Sequence, residues 1–368
     1  MTFVFITVFV SYALLVAALH AGWMKAIKSK IGSENRDKFV TVIVPVRNEE
    51  GDIGFLLDDL FSQDYPRNKV EIIVVNDHSE DKTGIIVEGK IKELSFFNCK
   101  IIEATGHGKK SAIATGVQQA IGELIVTIDA DCRTGVSWLH SINACFDNTT
   151  KMLFGPVKIE QRGSLFSKMQ SIEFASLIGS GAATMAFGIP TMCNGANLAF
   201  RKEVFHEVRG YEGNTQIASG DDEFLMRKIA KKYPKGIRFN NSQASIVTTK
   251  PQQTLSHFIS QRIRWAGKWK HHGDFKSKFL AVYIFTFHGM VLSAPILFLT
   301  QYMSGYVLLS LLILKSTLEF IFLRSVTSWL NIRCHWPSFI LLQVLYSLYV
   351  VLTGFSSLFV QTDWKGRK

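Results

Sequence analysis

VTVIVPVRNEE, Val40 to Glu50, decides the fold. An uncharged, β-branched run gives way abruptly to four polar residues, and Ile53, Leu56, Leu57 and Leu60 then recur at helical spacing. That is a strand followed by a helix. The strand is apolar throughout instead of alternating, which implies burial on both faces. Working outward, the pattern repeats. VEIIVV (Val70–Val75) ends in NDHSED, KIIEA (Lys100–Ala104) ends in TGHGKK, and ELIVTI (Glu123–Ile128) ends in DADC, each with a helical pattern behind it. Four βα units predict a doubly wound, mainly parallel α/β sheet. Ligands of such sheets sit beyond the carboxyl ends of the strands. Those ends carry Arg47, Glu49, Asp77, Asp81, Lys109, Asp129 and Asp131. Strand-end loops are polar for solvation alone, so it is the concentration of charge that points to a site.

No GxGxxG follows the first strand, which disfavours a dinucleotide oxidoreductase. A Walker loop also fails, because Glu103 stands where its first glycine belongs and Lys110 where its Ser or Thr belongs. A nucleotide phosphate must be met differently, and Asp129-Ala130-Asp131 at a strand end offers a means. Two carboxylates at that spacing in a turn can converge on a hard divalent cation, Mg²⁺ or Mn²⁺, that bridges a diphosphate. A solvated turn is the competing reading of the same three residues. Further on, CNGANLAFRKEVF (Cys193–Phe205) places Asn194, Gly195 and Asn197 before an apolar strand pattern. Asp221 and Asp222 open a helical segment, where they serve either as caps or as a rigidly held base. QRIRW (Gln261–Trp265) lies in a basic helical stretch that fits either phosphate recognition or a positively charged collar at a membrane.

Composition favours the membrane. Hydrophobic residues make up 47% of 368, charged ones 19%, and the net charge is +11, of which +9 falls between Arg201 and Lys278 (16 basic against 7 acidic). Met1 to Leu19 is uncharged and Lys25, Lys28 and Lys30 follow, which predicts a span of ~20 residues with a cytoplasmic exit. A cleaved signal peptide is the rival, but no basic leader precedes the apolar core, so the anchor is expected to stay. From Phe279 to Leu314 there are 36 uncharged residues, read as two helices broken at Gln301 to Gly305, the second ending at about Leu323 and carrying Lys315 and Glu319 one turn apart. That pair marks a lipid or polymer path, or is a neutralised ion pair between packed helices. A last candidate span begins near Pro337. Three C-terminal spans would put Trp364, Lys365, Arg367 and Lys368 outside, against the positive-inside rule, so two or three are allowed. Five scattered cysteines without a CxxC indicate neither disulfides nor zinc. The basic stretch, with Arg262, Arg264, Lys268, Lys270, Lys276 and Lys278, is explained by topology, so nucleic acid is not an expected partner.

With those residues in view, the chain resembles the inverting family 2 glycosyltransferases, in the membrane-bound branch of cellulose, chitin and hyaluronan synthases and ceramide glucosyltransferases. The likeness runs from about Val40 to Trp265 in motif order. NDHSEDKT is similar to DDxSxDxT with Asn76 for the first Asp, GKKSA to GKxxA, DADC to DxD, NGANLAFRKEVF to the acceptor-side GxNxAFRR, and Asp221-Asp222 to an ED pair whose first acid is shortened; QRIRW matches QxxRW. The resemblance implies a GT-A-like sheet flanked by transmembrane helices. It implies nucleotide contacts from Pro45, Arg47, Glu49, Asp77, Lys109 and Asp129, and Mg²⁺ or Mn²⁺ on Asp131. Asp222 would be the catalytic base, with Asn194, Gly195, Asn197, Asp221, Gln261, Arg264 and Trp265 near acceptor or diphosphate.

The expected organisation is an anchor at 1–23, a basic linker at 24–38, a cytoplasmic catalytic domain at 39–275 ending in an interfacial helix, and a membrane region at 276–368. The expected activity is transfer of a sugar from a nucleotide-diphosphate donor, uridine-linked, to a lipid or glycan hydroxyl at the cell (inner) membrane, in cell-envelope or polysaccharide synthesis. The alternative is a catalytically silent, membrane-tethered nucleotide-sugar-binding subunit.

Overall fold

A computed structural model describes residues 2–29, 37–93, 98–214, 219–268 and 275–360. Residues 30–36 of the linker, Trp269 and Lys270 of the basic stretch, and the tail Trp364, Lys365, Arg367 and Lys368 lie outside the described residues. The elements in chain order are α1 (Thr2–Lys28), β1 (Val40–Val46), α2 (Ile53–Phe61), β2 (Val70–Asn76), α3 (Thr83–Glu93), β3 (Cys99–Glu103), α4 (Lys109–Gln119), β4 (Leu124–Thr127), α5 (Trp138–Ala144), β5 (Met152–Phe154), β6 (Val157–Ile159) and α6 (Leu165–Ala186). They continue with β7 (Leu198–Arg201), α7 (Lys202–Glu207), α8 (Asp221–Lys232), β8 (Ile237–Phe239), β9 (Val247–Thr249), α9 (Leu255–Ala266), α10 (Phe275–Leu299), α11 (Gly305–Trp329) and α12 (Trp336–Phe359). Two compact units form: one from Lys25–Glu160 and Thr184–Lys250, the other from Met1–Met24, Gln161–Ala183 and Pro251–Asp363.

The first unit holds a seven-stranded sheet in the order β3-β2-β1-β4-β7-β5-β8. All residues of β1, β2 and β4 are buried, as continuous apolar strands require. β3 is only half-buried because it is an edge. Strands β1 to β4 pair in parallel. The chain steps outward from β1 to β3 and then returns past β1 to β4, so right-handed crossovers place α2 and α3 on one face and α4 on the other. Contacts of α2 with α3, and of α4 with β1 and β2, agree. The reversal between β1 and β4 is a topological switch point, and the strand ends there open a crevice. Pro45 lies beyond the last β1–β4 pair, Ile43–Thr127, where its missing N–H costs no ladder bond. The sheet is mainly parallel, as expected, with β7 running antiparallel to both β4 and β5. A separate parallel pair, β6 with β9, lies beside it in sequence.

The second unit is helical. Among the described residues four helices are long and apolar enough to cross a membrane: Thr2–Lys28, Ser277–Leu299, Gly305–Trp329 and Trp336–Phe359. The break between α10 and α11 falls where Ser304 caps the N–H of Val307. α11 continues to Trp329 rather than stopping near Leu323, because Arg324 marks the return of charge and not the end of backbone hydrogen bonding. Lys315 and Glu319 form the neutralised pair, at 3.0 Å, and Gln343 of α12 and Tyr12 of α1 complete the carboxylate's hydrogen bonds. Arg262 is a correction to the solvated-collar reading. It is buried against Glu173 of α6, which also accepts from Tyr349 of α12, while its guanidinium lies over the rings of Phe258 and Trp265. Removing one partner of such a pair costs roughly 3–5 kcal/mol, because the other charge is left stranded.

Gly116 is one of the positions in the sheet unit that leave no room for a side chain. A Cβ on Gly116 of α4 would stand 2.8 Å from Ile43 Cγ2 and 3.1 Å from Val75 Cγ2. Gly116→Val should therefore lower stability by about 1–3 kcal/mol, read as a fall in the thermal midpoint of the detergent-purified chain; an unchanged midpoint would mean that α4 does not lie on β1 and β2 this closely.

Candidate active site

The loops after β1 and β2 are joined through side chains. Asn48 N–H donates to Ser79 Oγ, Glu49 N–H to Thr83 Oγ1 and Glu50 N–H to an Asp81 carboxylate oxygen, while Glu80 and Lys82 N–H groups donate back to the side chains of Asn48 and Glu50. Asn48 takes φ +52, a left-handed conformation that Asn tolerates well. Arg47 is buried beneath this knot and donates to the carbonyls of Asp77 (3.1 Å) and His78 (3.4 Å). Asp77 follows β2 directly, with its side chain wholly buried. One carboxylate oxygen accepts from Gly108 N–H at 3.0 Å; the other faces the imidazoles of His78 (3.3 Å) and His107 (3.9 Å).

Gly108, at φ +88, opens α4 and delivers Lys109. The Lys109 ammonium lies 2.6 Å from Asp129 and 3.3 Å from Asp221, so it joins the end of β4 to the first turn of α8. Burial works against its charge, but Asp129 and Asp221, with Asp222 behind them, outweigh that and raise its pKa well above the ordinary lysine value. The ammonium therefore keeps its charge through the neutral range and well into alkali.

Asp221 and Asp222 occupy the first turn of α8, where the helix dipole favours anions. Asp222 accepts from Gly195 N–H at 3.2 Å and from Glu223 N–H at 2.7 Å. Gly195 is itself fixed by Thr127 of β4, whose hydroxyl donates to its carbonyl at 3.0 Å. Only glycine fits there, since a Cβ would stand 2.7 Å from Asp221 and 3.3 Å from Lys109 Nζ. Asp131 accepts from the Thr249 hydroxyl at 3.2 Å and from the Cys132 thiol at 3.6 Å. Burial, with Asp131 and Asp129 nearby, pushes that thiol well up, so it is neither a nucleophile nor a thiolate ligand. Hard carboxylate oxygens suit a divalent cation that takes its remaining ligands from phosphate and water.

The structure thus gathers Lys109, Asp129 and Asp221 through direct contacts and Gly195 with Asp222 beside them, with Asp77 joined through Gly108 and Asp131 two residues from Asp129. Asn194 caps the turn that carries Gly195 by accepting from Ala196 N–H. Asn197 lies in the core instead: its amide donates to the carbonyls of Pro156 and Ser245 and accepts from the Trp138 indole, so it positions this loop through packing. Gln261, Arg264 and Trp265 sit on α9 in the helical unit, where Gln261 accepts from Arg262 and Trp265 packs against Phe174.

Sequence reasoning overlooked Lys110, whose ammonium donates to Asn214 carbonyl and lies 4.7 Å from the centre of the Phe224 ring. It also overlooked Tyr211, buried beside Asp221 and Asp222, whose phenol burial and those acids push upward. Asn76 explains its own departure from DDxS. Its amide donates to Glu103 of β3 at 2.7 Å and its oxygen accepts from Ser79 N–H. A carboxylate there would face Glu103. Asn76→Asp should therefore lower the thermal midpoint at neutral pH, the loss should shrink as pH falls and one acid takes a proton, and Asn76→Asp with Glu103→Gln should restore it; an Asn76→Asp chain as stable as the native one would contradict this pairing.

Comparison with known proteins agrees with the geometry. Residues 41–209 match the family described as Glycosyl transferase family 2. The chain is 28% identical over 235 residues to the probable glycosyltransferase YdaM of Bacillus subtilis, covering 62% of this chain and 54% of that protein. It is 27% identical over 274 residues to a poly-beta-1,6-N-acetyl-D-glucosamine synthase of Staphylococcus aureus, covering 71% and 63%. It therefore spans between about half and two thirds of the length of these curated relatives. A solved mannosyltransferase, PcManGT from Pyrobaculum calidifontis in complex with GDP-Man and Mn²⁺, superposes with a TM-score of 0.55 at 19% identity, covering 95% of this chain and 98% of that one, which establishes a shared fold. The chain carries a glycosyl transferase family 2 domain on a GT-A-like, mainly parallel sheet, with apolar helices of membrane-spanning length.

Proposed function

We propose that the chain is a membrane-bound inverting glycosyltransferase that moves a sugar from a uridine-diphosphate donor to a hydroxyl of a lipid or glycan acceptor in cell-envelope or polysaccharide synthesis. The observation that carries this reading is the convergence of acids from two separate loops, Asp129 and Asp221, on Lys109, with Asp222 one residue beyond the bridge. Likeness to a poly-beta-1,6-N-acetyl-D-glucosamine synthase supports the polysaccharide setting.

In this reading Asp77, Arg47 and the knot containing Glu49 form the base and ribose side of the crevice, and Asp129 with Lys109 forms the diphosphate side. Asp131 holds Mg²⁺ or Mn²⁺, which when bound offsets charge on the leaving diphosphate. Asp222 takes the acceptor's proton while the acceptor oxygen bonds to the anomeric carbon and the anomeric C–O bond breaks toward the diphosphate. Its two backbone N–H partners fix the carboxylate's direction before the acceptor arrives. With Asp129 and Asp221 engaged by Lys109, Asp222 acting as base favours a single displacement, hence inversion. By their likeness to QxxRW, Gln261, Arg264 and Trp265 are assigned to diphosphate and acceptor, and the positively charged exit of α1 is read as cytoplasmic.

Asp222→Asn keeps the shape and both backbone contacts but removes the base. It should retain nucleotide affinity within a few-fold while the transfer rate falls by ~10²–10⁴, measured as donor-derived sugar in product by mass. Full transfer activity in that variant would exclude Asp222 as base.

A further inference from the structure

Between α6 and β7 the chain forms a tip, Met185 to Met192, inside an uncharged run that extends from Phe174 to Phe200. It is an ordered reversal. Phe187 and Ile189 N–H groups both donate to Thr184 carbonyl, Gly188 N–H donates to Met185 carbonyl with φ +74, the hydroxyls of Thr184 and Thr191 are 2.8 Å apart, and Arg227 of α8 donates to Thr191 carbonyl. Yet Phe187 and Ile189 stay 48% and 45% exposed. A solvated turn has no reason to brace two large apolar side chains outward.

Two further observations say what they meet. The Lys25 ammonium lies over the Phe187 ring, 5.7 Å from its centre. Lys25 is in the last turn of α1 and is the first lysine or arginine after its apolar span, a position that belongs at lipid headgroup level, where aromatic rings are also favoured. Only five residues then lie between Ile189 and Gly195, a reach of at most ~20 Å, and Gly195 N–H is bonded to Asp222.

We propose that this tip seats the hydrocarbon of a lipid acceptor, so that the hydroxyl presented to Asp222 belongs to a membrane amphiphile and not to a water-soluble sugar. The assignment rests on the glycosyl-transfer reading above and names its acceptor class. Phe187 and Ile189 hold the chain within the headgroup layer while the polar head reaches inward along residues 190–195.

The test has two arms, both on the full chain in phospholipid nanodiscs. In the first, Ile189→Cys is labelled with an environment-sensitive fluorophore and nitroxide-bearing phospholipid is added, with the native chain as the labelling control; the label should be strongly quenched. In the second, transfer to dodecyl glucoside is compared with transfer to methyl glucoside. The native chain should prefer the long-chain acceptor, and Phe187→Ser with Ile189→Ser should cut that preference at least tenfold through KM. No quenching, or an unchanged preference, overturns the proposal. Quenching without product from either glucoside overturns the acceptor role by removing the transfer reading beneath it, and so separates the two failures.

Discussion

The site rests on one buried ammonium shared by two carboxylates. Lys109 at the start of α4 touches Asp129 beyond β4 and Asp221 at the start of α8, three elements far apart in sequence. Without a cation between them, acids held this close in a low-dielectric crevice would repel or protonate. The contact also fixes its neighbours. Gly108, next to Lys109, donates its N–H to Asp77, and Gly195 fits only because it leaves Lys109 and Asp221 room. The topology makes this meeting possible, since the reversal between β1 and β4 brings the β4 end beside the loops of β1 and β2, and the antiparallel β7 returns Gly195 to the end of β4.

The helical unit follows a different rule. Two buried polar clusters are completed internally: Lys315, Glu319, Gln343 and Tyr12 satisfy one another among α1, α11 and α12, and Glu173, Arg262 and Tyr349 do so among α6, α9 and α12. In an apolar surrounding each such group is costly alone and acceptable only when paired. These two clusters therefore fix how the helices pack. The second orients α9, including Gln261, whose side chain accepts from Arg262.

Much of this was legible in the sequence, and the physics says which part. β1, β2 and β4 announce themselves because strands buried on both faces need unbroken apolar runs, and the spans because a bilayer demands long uncharged helices. The acids at strand ends could be read as a group before any coordinates. Strands β5, β6, β8 and β9 could not, because three residues carry no periodicity and their pairing is set by distant partners. Helix α6 was missed because its small residues show little amphipathic contrast. Asn197 reads like a polar site residue, but its three partners come from Pro156, Ser245 and Trp138, and no local pattern reveals a core amide. Arg262 looked like one more interfacial cation, and only the fold shows Glu173 opposite it. Asn76 is the instructive exception: the change from the family's Asp makes sense once Glu103 is seen beside it.

The central claim is that the Lys109 cluster is where the donor diphosphate binds. Equilibrium binding of UDP to the purified native chain and to Lys109→Met, each with and without Mn²⁺, tests it most directly. The account predicts that the native chain binds UDP more tightly when Mn²⁺ is present and that the variant loses at least tenfold of that affinity while remaining folded. Equal affinity in the two chains would contradict it.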